Sequence, residues 1–322
     1  MSSSAKMNTT KQKVGKELSK KDITYIELCQ MYIRECKLND IADVTINGYN
    51  YANKYFLRFT GKGIMCSEIT QELVDDYKME LLKRLKPTTL NSYMFKISPT
   101  IKYGHRVGLI KEEILITHVR EQETFKDIYT EEELKKLLVR PKNKSFSQYR
   151  NWVIINFLIA TGIRSKELRE LNVSNVDLDM GFINLPHTKN RKARIIPMPS
   201  SLIKIMIEYI NIRGGELSEP LFCNQFGERL PRTTLQLEIK KYCLKRDVHK
   251  YSLHLFRHTF ITLSVRKGMS PLQLKRITGH ADFRMLNKYY QYDPSDLMDI
   301  IDEYNPLETF KKKQVIKMGK KV

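Results

Sequence analysis

The stretch SLHLFRHTFITL, Ser252 to Leu263, decides how the whole chain is read. Phe256, Phe260 and Leu263 recur at spacings of four and three, the apolar stripe of a helix with one buried face. The same helix carries His254, Arg257 and His258 within its first turn and a half. Core helices rarely take in three such groups without a partner of opposite charge, and the segment holds no acid. The N-terminal end of a helix bearing His and Arg is a favourable seat for a phosphate. Zinc is the rival, because His254 and His258 stand at i and i+4. The glutamate of an HExxH motif is missing, however, and an arginine lies between the histidines, so no metal and no cofactor are expected.

The net charge points the same way. The chain of 322 residues has 56 Lys and Arg against 36 Asp and Glu, a surplus of +20. Six lysines fall in residues 1–21 and six more in KKKQVIKMGKKV from Lys311, and the surplus persists in the body between them. That distribution suits a polyanion, nucleic acid before an anionic membrane. The longest strongly apolar run, WVIINFLIA from Trp152, has nine residues. A bilayer span needs about 18 to 20. The N-terminus lacks the apolar core of a signal peptide, and five cysteines without a CxxC fit reduced thiols. The reading is an intracellular, cytoplasmic protein with no membrane partner.

Along the chain, residues 1–21 read as a flexible basic arm. Helical patterns follow in DITYIELCQMYIREC (Ile23, Ile26, Met31 and Ile33 on one face), TINGYNYANKYFLRFTG (Ile46, Tyr49, Asn53, Phe56) and SEITQELVDDYKMELLKRL, capped by Ser67 or Thr70. A fourth starts after Pro87 and is bent or broken at Pro99. These predict a four-helix domain over 22–112, then a linker over 113–129. A capping box, Thr130 to Glu133, reopens helix in a domain expected over 130–302. MGFINLPHTKNRKARIIPM predicts a β-hairpin, and helices are expected at 200–213, 233–246, 252–267, 271–278 and near 285–302, before a basic tail over 303–322. The fold class is mainly α with one small β-hairpin or sheet.

Three further motifs carry chemistry. ATGIRSKEL sets Arg164 after a glycine bend, with Glu167 on the same face. The hairpin turn holds Lys189, Arg191, Lys192 and Arg194. ITGHADFRMLNKYYQYD places His280 after Gly279, Tyr289 nine residues later, and Tyr290 and Tyr292 close behind. Taken singly, each has an ordinary explanation in a surface ion pair, a solvated charge run or aromatic packing.

The ordered set Arg164, Lys189, His254 with Arg257, His280 and a tyrosine resembles the tyrosine recombinases, the family of phage integrases and chromosome-dimer-resolving recombinases. The resemblance spans about Asp22 to Asp302. It implies an N-terminal SAM-like, four-helix core-binding domain and a C-terminal α-rich catalytic domain. It also implies metal-independent breaking and rejoining of DNA through a 3′-phosphotyrosine and a Holliday junction. Arg164 and Arg257 would bind the scissile phosphate through their forks. Tyr289 would be the nucleophile, with Tyr290 and Tyr292 as alternatives, and His254 the general base assisting it. Lys189 would protonate the 5′-oxygen, His280 would bond the phosphate or position the tyrosine, and Glu167 would buttress Arg164 or His254.

The same resemblance implies a clamp on double-stranded DNA with paired recombination sites. The protein would be a monomer in solution and a homotetramer on DNA, associated with the nucleoid, with directionality or accessory factors as further partners. Lys86, Thr88, Asn91, Lys96, Lys102 and Arg106 in the first domain, with Arg191, Lys192 and Arg194 in the hairpin, are the expected DNA contacts. Leu297, Met298, Ile300, Ile301 and Leu307 could dock on a neighbouring copy or on their own domain. Two other readings stand beside this one: a non-catalytic repressor or architectural protein on the same fold, and a type IB topoisomerase.

Overall fold

The computed structural model describes residues 22–121, 127–142, 145–185 and 193–280, with Phe283, Leu286, Tyr289 and Tyr290. The basic arm, Lys189, Arg191, Lys192, Tyr292, most of the helix expected near 285–302 and the tail lie outside the described residues. The chain divides into two compact units that part between residues 124 and 125.

The first unit packs four α-helices: α1 Tyr25–Leu38, α2 Asp43–Thr60, α3 Gln71–Leu82 and α4 Pro87–Arg106. Thr24 opens α1 with a reciprocal capping box to Glu27, and Thr70, not Ser67, caps α3. The buried stripe of α1 is Tyr25, Leu28 and Cys36, whereas the expected face of Ile23, Ile26, Met31 and Ile33 is only half-buried. The reason is a polar brace: Tyr25 Oη donates to Asn53 Oδ1 (2.8 Å), and Asn53 Nδ2 donates to Thr100 Oγ1 (2.9 Å). These bonds tie α1, α2 and α4 together and turn Tyr25 into the core, where its ring meets Phe56 edge-on. Helix α4 runs on through Pro99 to Arg106, so the expected break does not occur.

In the second unit the Thr130–Glu133 capping box starts α5 Glu131–Leu138. Helix α6, Phe146–Thr161, is the centre of the core: Trp152, Val153, Ile154, Ile155, Phe157 and Leu158 are all buried, so apolar groups surround it on most sides. It ends at Gly162, which has a left-handed φ of 58° and lies so close to Phe260 that an added Cβ would overlap the ring. Arg164 is then the N-cap of the short α7, Ser165–Glu170.

A small antiparallel sheet follows, in the order β1 Val176–Asp177, β2 Phe182–Leu185, β3 Arg194–Pro197, with Leu185 opposite Arg194. The β2–β3 pair is the expected hairpin. The two-residue β1 is too short to show an alternating pattern in sequence. Helices α8 Ser200–Arg213, α9 Arg232–Leu244, α10 Leu253–Arg266 and α11 Pro271–Thr278 complete the described residues. Among these, no helix is long and apolar enough to cross a membrane. On α10, Phe256 stacks on Tyr129 with centroids 4.5 Å apart, and Leu253, Phe256, Ile261 and Val265 are buried. Burying a side chain of the size of Phe256 is worth about 2–3 kcal/mol, enough to anchor the helix that presents Arg257 and His258.

Candidate active site

The site grows from three chain reversals that bring guanidinium groups onto one short segment, Thr278-Gly279-His280. Arg164 Nη2 donates to the Gly279 carbonyl (2.7 Å) and Arg257 Nη2 to the preceding carbonyl of Thr278 (2.8 Å). Arg257 Nη1 also donates to the Gly162 carbonyl (2.6 Å), a contact that needs the close approach of α6 to α10 allowed by glycine. Arg164 and Arg257, predicted from separate motifs, are thus brought together.

Glu167 is the acid among them. Arg164 reaches it twice, with its backbone N–H (3.0 Å) and with Nη1 (2.8 Å). Arg194 completes the set, Nη1 and Nη2 donating to the two carboxylate oxygens at 2.9 and 2.8 Å and Nε to the Ile277 carbonyl at 3.1 Å. Burial on its own would raise the Glu167 carboxyl. The hydrogen bonds and charges of Arg194 and Arg164 outweigh it and hold the group down to about 2. Two guanidiniums therefore share one carboxylate, and a third, that of Arg257, stands close by on the Gly162 and Thr278 carbonyls. The Arg257 guanidinium, only 5% exposed, is pushed down to about 9 by burial first and then by the like charge of Arg164. A cation cluster with this surplus is built to receive an anion.

His280 has its tautomer set by its neighbours. The Thr278 hydroxyl donates its one proton to the Leu274 carbonyl (2.6 Å), so it can only accept from His280 Nδ1–H (2.7 Å). His280 Nε2 then accepts from Arg257 Nη2 (3.2 Å). Both ring nitrogens are thus engaged, and the ring is locked to Arg257.

Tyr289 is half-buried, and its hydroxyl is hydrogen-bonded to His258 Nδ1. Tyr290 points elsewhere, donating from its hydroxyl to the Met269 carbonyl (2.7 Å). His254, expected to serve Tyr289, lies on the exposed first turn of α10. His258 has no catalytic assignment from the sequence, where it counts only among the three polar groups of this helix and as half of a zinc pair. Its place one residue after Arg257 was the available signal.

Two expected DNA contacts turn inward. Arg194 spends its fork on Glu167, with a side chain only 9% exposed. Asn91 is 8% exposed, accepts from Val119 N–H (2.9 Å), and donates to the Val119 carbonyl and to Glu121 (both 2.8 Å). It secures the chain leaving α4. Lys86, Thr88 and Lys102 are exposed, and Lys96 is half-buried. Arg106 pairs with Glu35 and lies over the Tyr103 ring.

The first unit is a four-helix unit, and the second carries a guanidinium cluster and a hydrogen-bonded tyrosine, an arrangement suited to an anionic partner. Family comparison makes it specific. Residues 128–295 match the phage integrase family, and residues 24–119 match the phage integrase SAM-like domain. The chain belongs to the phage integrase family, and it is a tyrosine-type site-specific recombinase. A similar relative is tyrosine recombinase XerD of Staphylococcus haemolyticus (strain JCSC1435), 28% identical over 199 residues, covering 60% of this chain and 67% of the relative. Among solved structures, the Tn1549 transposon integrase in complex with a circular intermediate DNA has a TM-score of 0.72 at 19% identity, covering 86% of this chain and 98% of the other. A lambda integrase dimer bound to a core site gives 0.67 at 14% identity, covering 98% and 85%. These two likenesses concern the fold.

Proposed function

We propose that this recombinase cuts double-stranded DNA by attack of Tyr289 on a phosphodiester and rejoins it by the reverse step. The observation that carries the assignment is the tyrosine hydroxyl, hydrogen-bonded to His258 and within the electrostatic reach of Arg257, which belongs to a cluster of three guanidiniums and one carboxylate. Arg164 and Arg257 bind the scissile phosphate and neutralise the charge that grows as phosphorus becomes five-coordinate. His280, hydrogen-bonded to Arg257, keeps that guanidinium in place, and His254 on the exposed turn of α10 adds a hydrogen bond to the phosphate. Lys189 gives a proton to the departing 5′-oxygen. Glu167 positions Arg164. The covalent 3′-phosphotyrosine conserves the energy of the bond, so religation needs no nucleotide cofactor.

Lys86, Thr88, Lys96, Lys102 and Arg106, with Arg191 and Lys192 of the hairpin, contact the backbone and fix register without reading sequence. Recombination itself takes four copies on two paired sites, passing through a Holliday junction. The chain beyond Pro294 serves as the docking segment between copies.

The test is to express the protein and Tyr289→Phe in a bacterium carrying candidate elements, denature without crosslinker, and sequence the DNA attached to the purified protein. Discrete ends with the wild type, absent from Tyr289→Phe, support the assignment and give the site. Equal peaks in both proteins, seen only after crosslinking, point instead to a non-catalytic DNA-binding protein. A nicked duplex built from those peaks, which traps the adduct, separates that case from a short-lived intermediate.

A further inference from the structure

Resting on that reading, we propose that His258, and not His254, is the group that takes the proton of Tyr289 during strand cleavage. His258 Nδ1 is hydrogen-bonded to the tyrosine hydroxyl, the atom that attacks phosphorus. The two rings lie 6.0 Å apart between centroids at 31°, a side-by-side approach through the polar atoms. His258 follows Arg257 directly on α10, so the bonds that lock Arg257 to Gly162 and Thr278 also fix the root of the His258 side chain.

The need for an acceptor is plain from the surroundings of Tyr289. Burial pushes its hydroxyl up to about 12, against a smaller opposite pull from Arg257, so the phenol is neutral at ordinary pH. A neutral phenol donates, which makes Nδ1 of His258 the acceptor and places the ring proton on Nε2. The nearby alternative is committed: His280 donates Nδ1–H to Thr278, and its Nε2 lone pair is engaged by Arg257.

In the forward step the bond from Tyr289 Oη to phosphorus forms as the bond to the 5′-oxygen breaks. The tyrosine proton passes to His258 Nδ1, leaving an imidazolium, and the 5′-oxygen takes its proton from Lys189. Religation runs each transfer backwards, so no oxidant, metal or nucleotide enters the balance.

The experiment uses the full-length protein and a nicked duplex carrying the sequence recovered from covalent adducts. His258→Ala and His258→Asn are each expected to lower the rate of adduct formation by about 10²–10⁴-fold with an unchanged melting transition. Added imidazole is expected to restore part of the His258→Ala rate and none of the Tyr289→Phe rate. Replacing the bridging 5′-oxygen by sulfur supplies a leaving group that needs no proton. It should rescue Lys189→Ala and leave His258→Ala slow. His258→Asn cutting at the wild-type rate, or sulfur restoring His258→Ala, would overturn the proposal and leave the recombinase reading intact. A wild-type protein that forms no adduct would remove both.

Discussion

Arg194 and Glu167 meet through two parallel hydrogen bonds of 2.9 and 2.8 Å, with both side chains less than a tenth exposed. The pair joins strand β3, which leaves the hairpin, to the α7 acid that also holds Arg164. A guanidinium can span both carboxylate oxygens at once, and an ammonium cannot. The side chain that sequence placed on DNA therefore fixes the carboxylate that also holds Arg164.

Arg194→Met is expected to destabilise the second unit by about 1–3 kcal/mol, because it takes two hydrogen bonds from a buried carboxylate that then keeps only Arg164. Arg194→Lys should lose less. Urea unfolding of the full chain measures both. Arg194→Met with wild-type stability would show that Glu167 does not depend on the pair.

The same pair sets an acid limit. Glu167 sits at about 2 in the folded protein, below its ordinary value of 4.5. The stability it contributes is fully present above about 4.5 and is lost as pH falls towards 2. Melting temperatures of the wild type and Glu167→Gln, followed from pH 6 to 2, should therefore converge on the acid side. The wild-type advantage at the neutral end is expected to be roughly 2–3 kcal/mol. A gap that stays constant through that window would contradict the assignment.

The neighbouring tyrosines should separate cleanly. Tyr290→Phe removes a hydrogen bond to the Met269 carbonyl. It is expected to cost about 1 kcal/mol of stability while sparing covalent attachment to DNA. Tyr289→Phe should retain stability and lose attachment. Denaturing electrophoresis of each protein with the trapped duplex distinguishes them, and an adduct formed by Tyr289→Phe would transfer the nucleophile's role to Tyr290 or Tyr292.

In the first unit, Asn91→Ala is expected to behave as a packing lesion. Its amide bonds both backbone groups of Val119, so about 1–3 kcal/mol should be lost in thermal unfolding. DNA binding at permissive temperature should keep its salt dependence, because no phosphate contact is removed.

Exposed Lys86 and Lys102 should show the opposite behaviour. Replacing either by alanine should leave stability within about 0.5 kcal/mol. Each loss should flatten the slope of log affinity against log salt by about one unit. Titrations between 50 and 200 mM salt, by fluorescence anisotropy, read this directly. An unchanged slope in both would move the DNA interface to another face of the unit.

The sequence by itself determined whatever depends on neighbours along one helix or on the order of motifs. The Thr130 capping box, the glycine stop before Arg164 and the apolar stripe of α10 are local patterns along one helix, because an α-helix brings residues three and four apart together wherever it forms. The succession of Arg164, Arg257, His280 and Tyr289 was legible as an order of motifs that resembles the tyrosine recombinases, each motif having an ordinary explanation by itself. Tertiary structure alone decided which partners those groups meet. Arg194 and Glu167 lie on a strand and a helix with no common periodicity, and Asn91 reaches a carbonyl beyond its own helix. The brace from Tyr25 through Asn53 to Thr100 rotated α1 away from its expected face. Most of all, His254 and His258 are a single turn apart and chemically identical. Only the packing of α10 against the segment bearing Tyr289 determines which imidazole lies within reach of the hydroxyl.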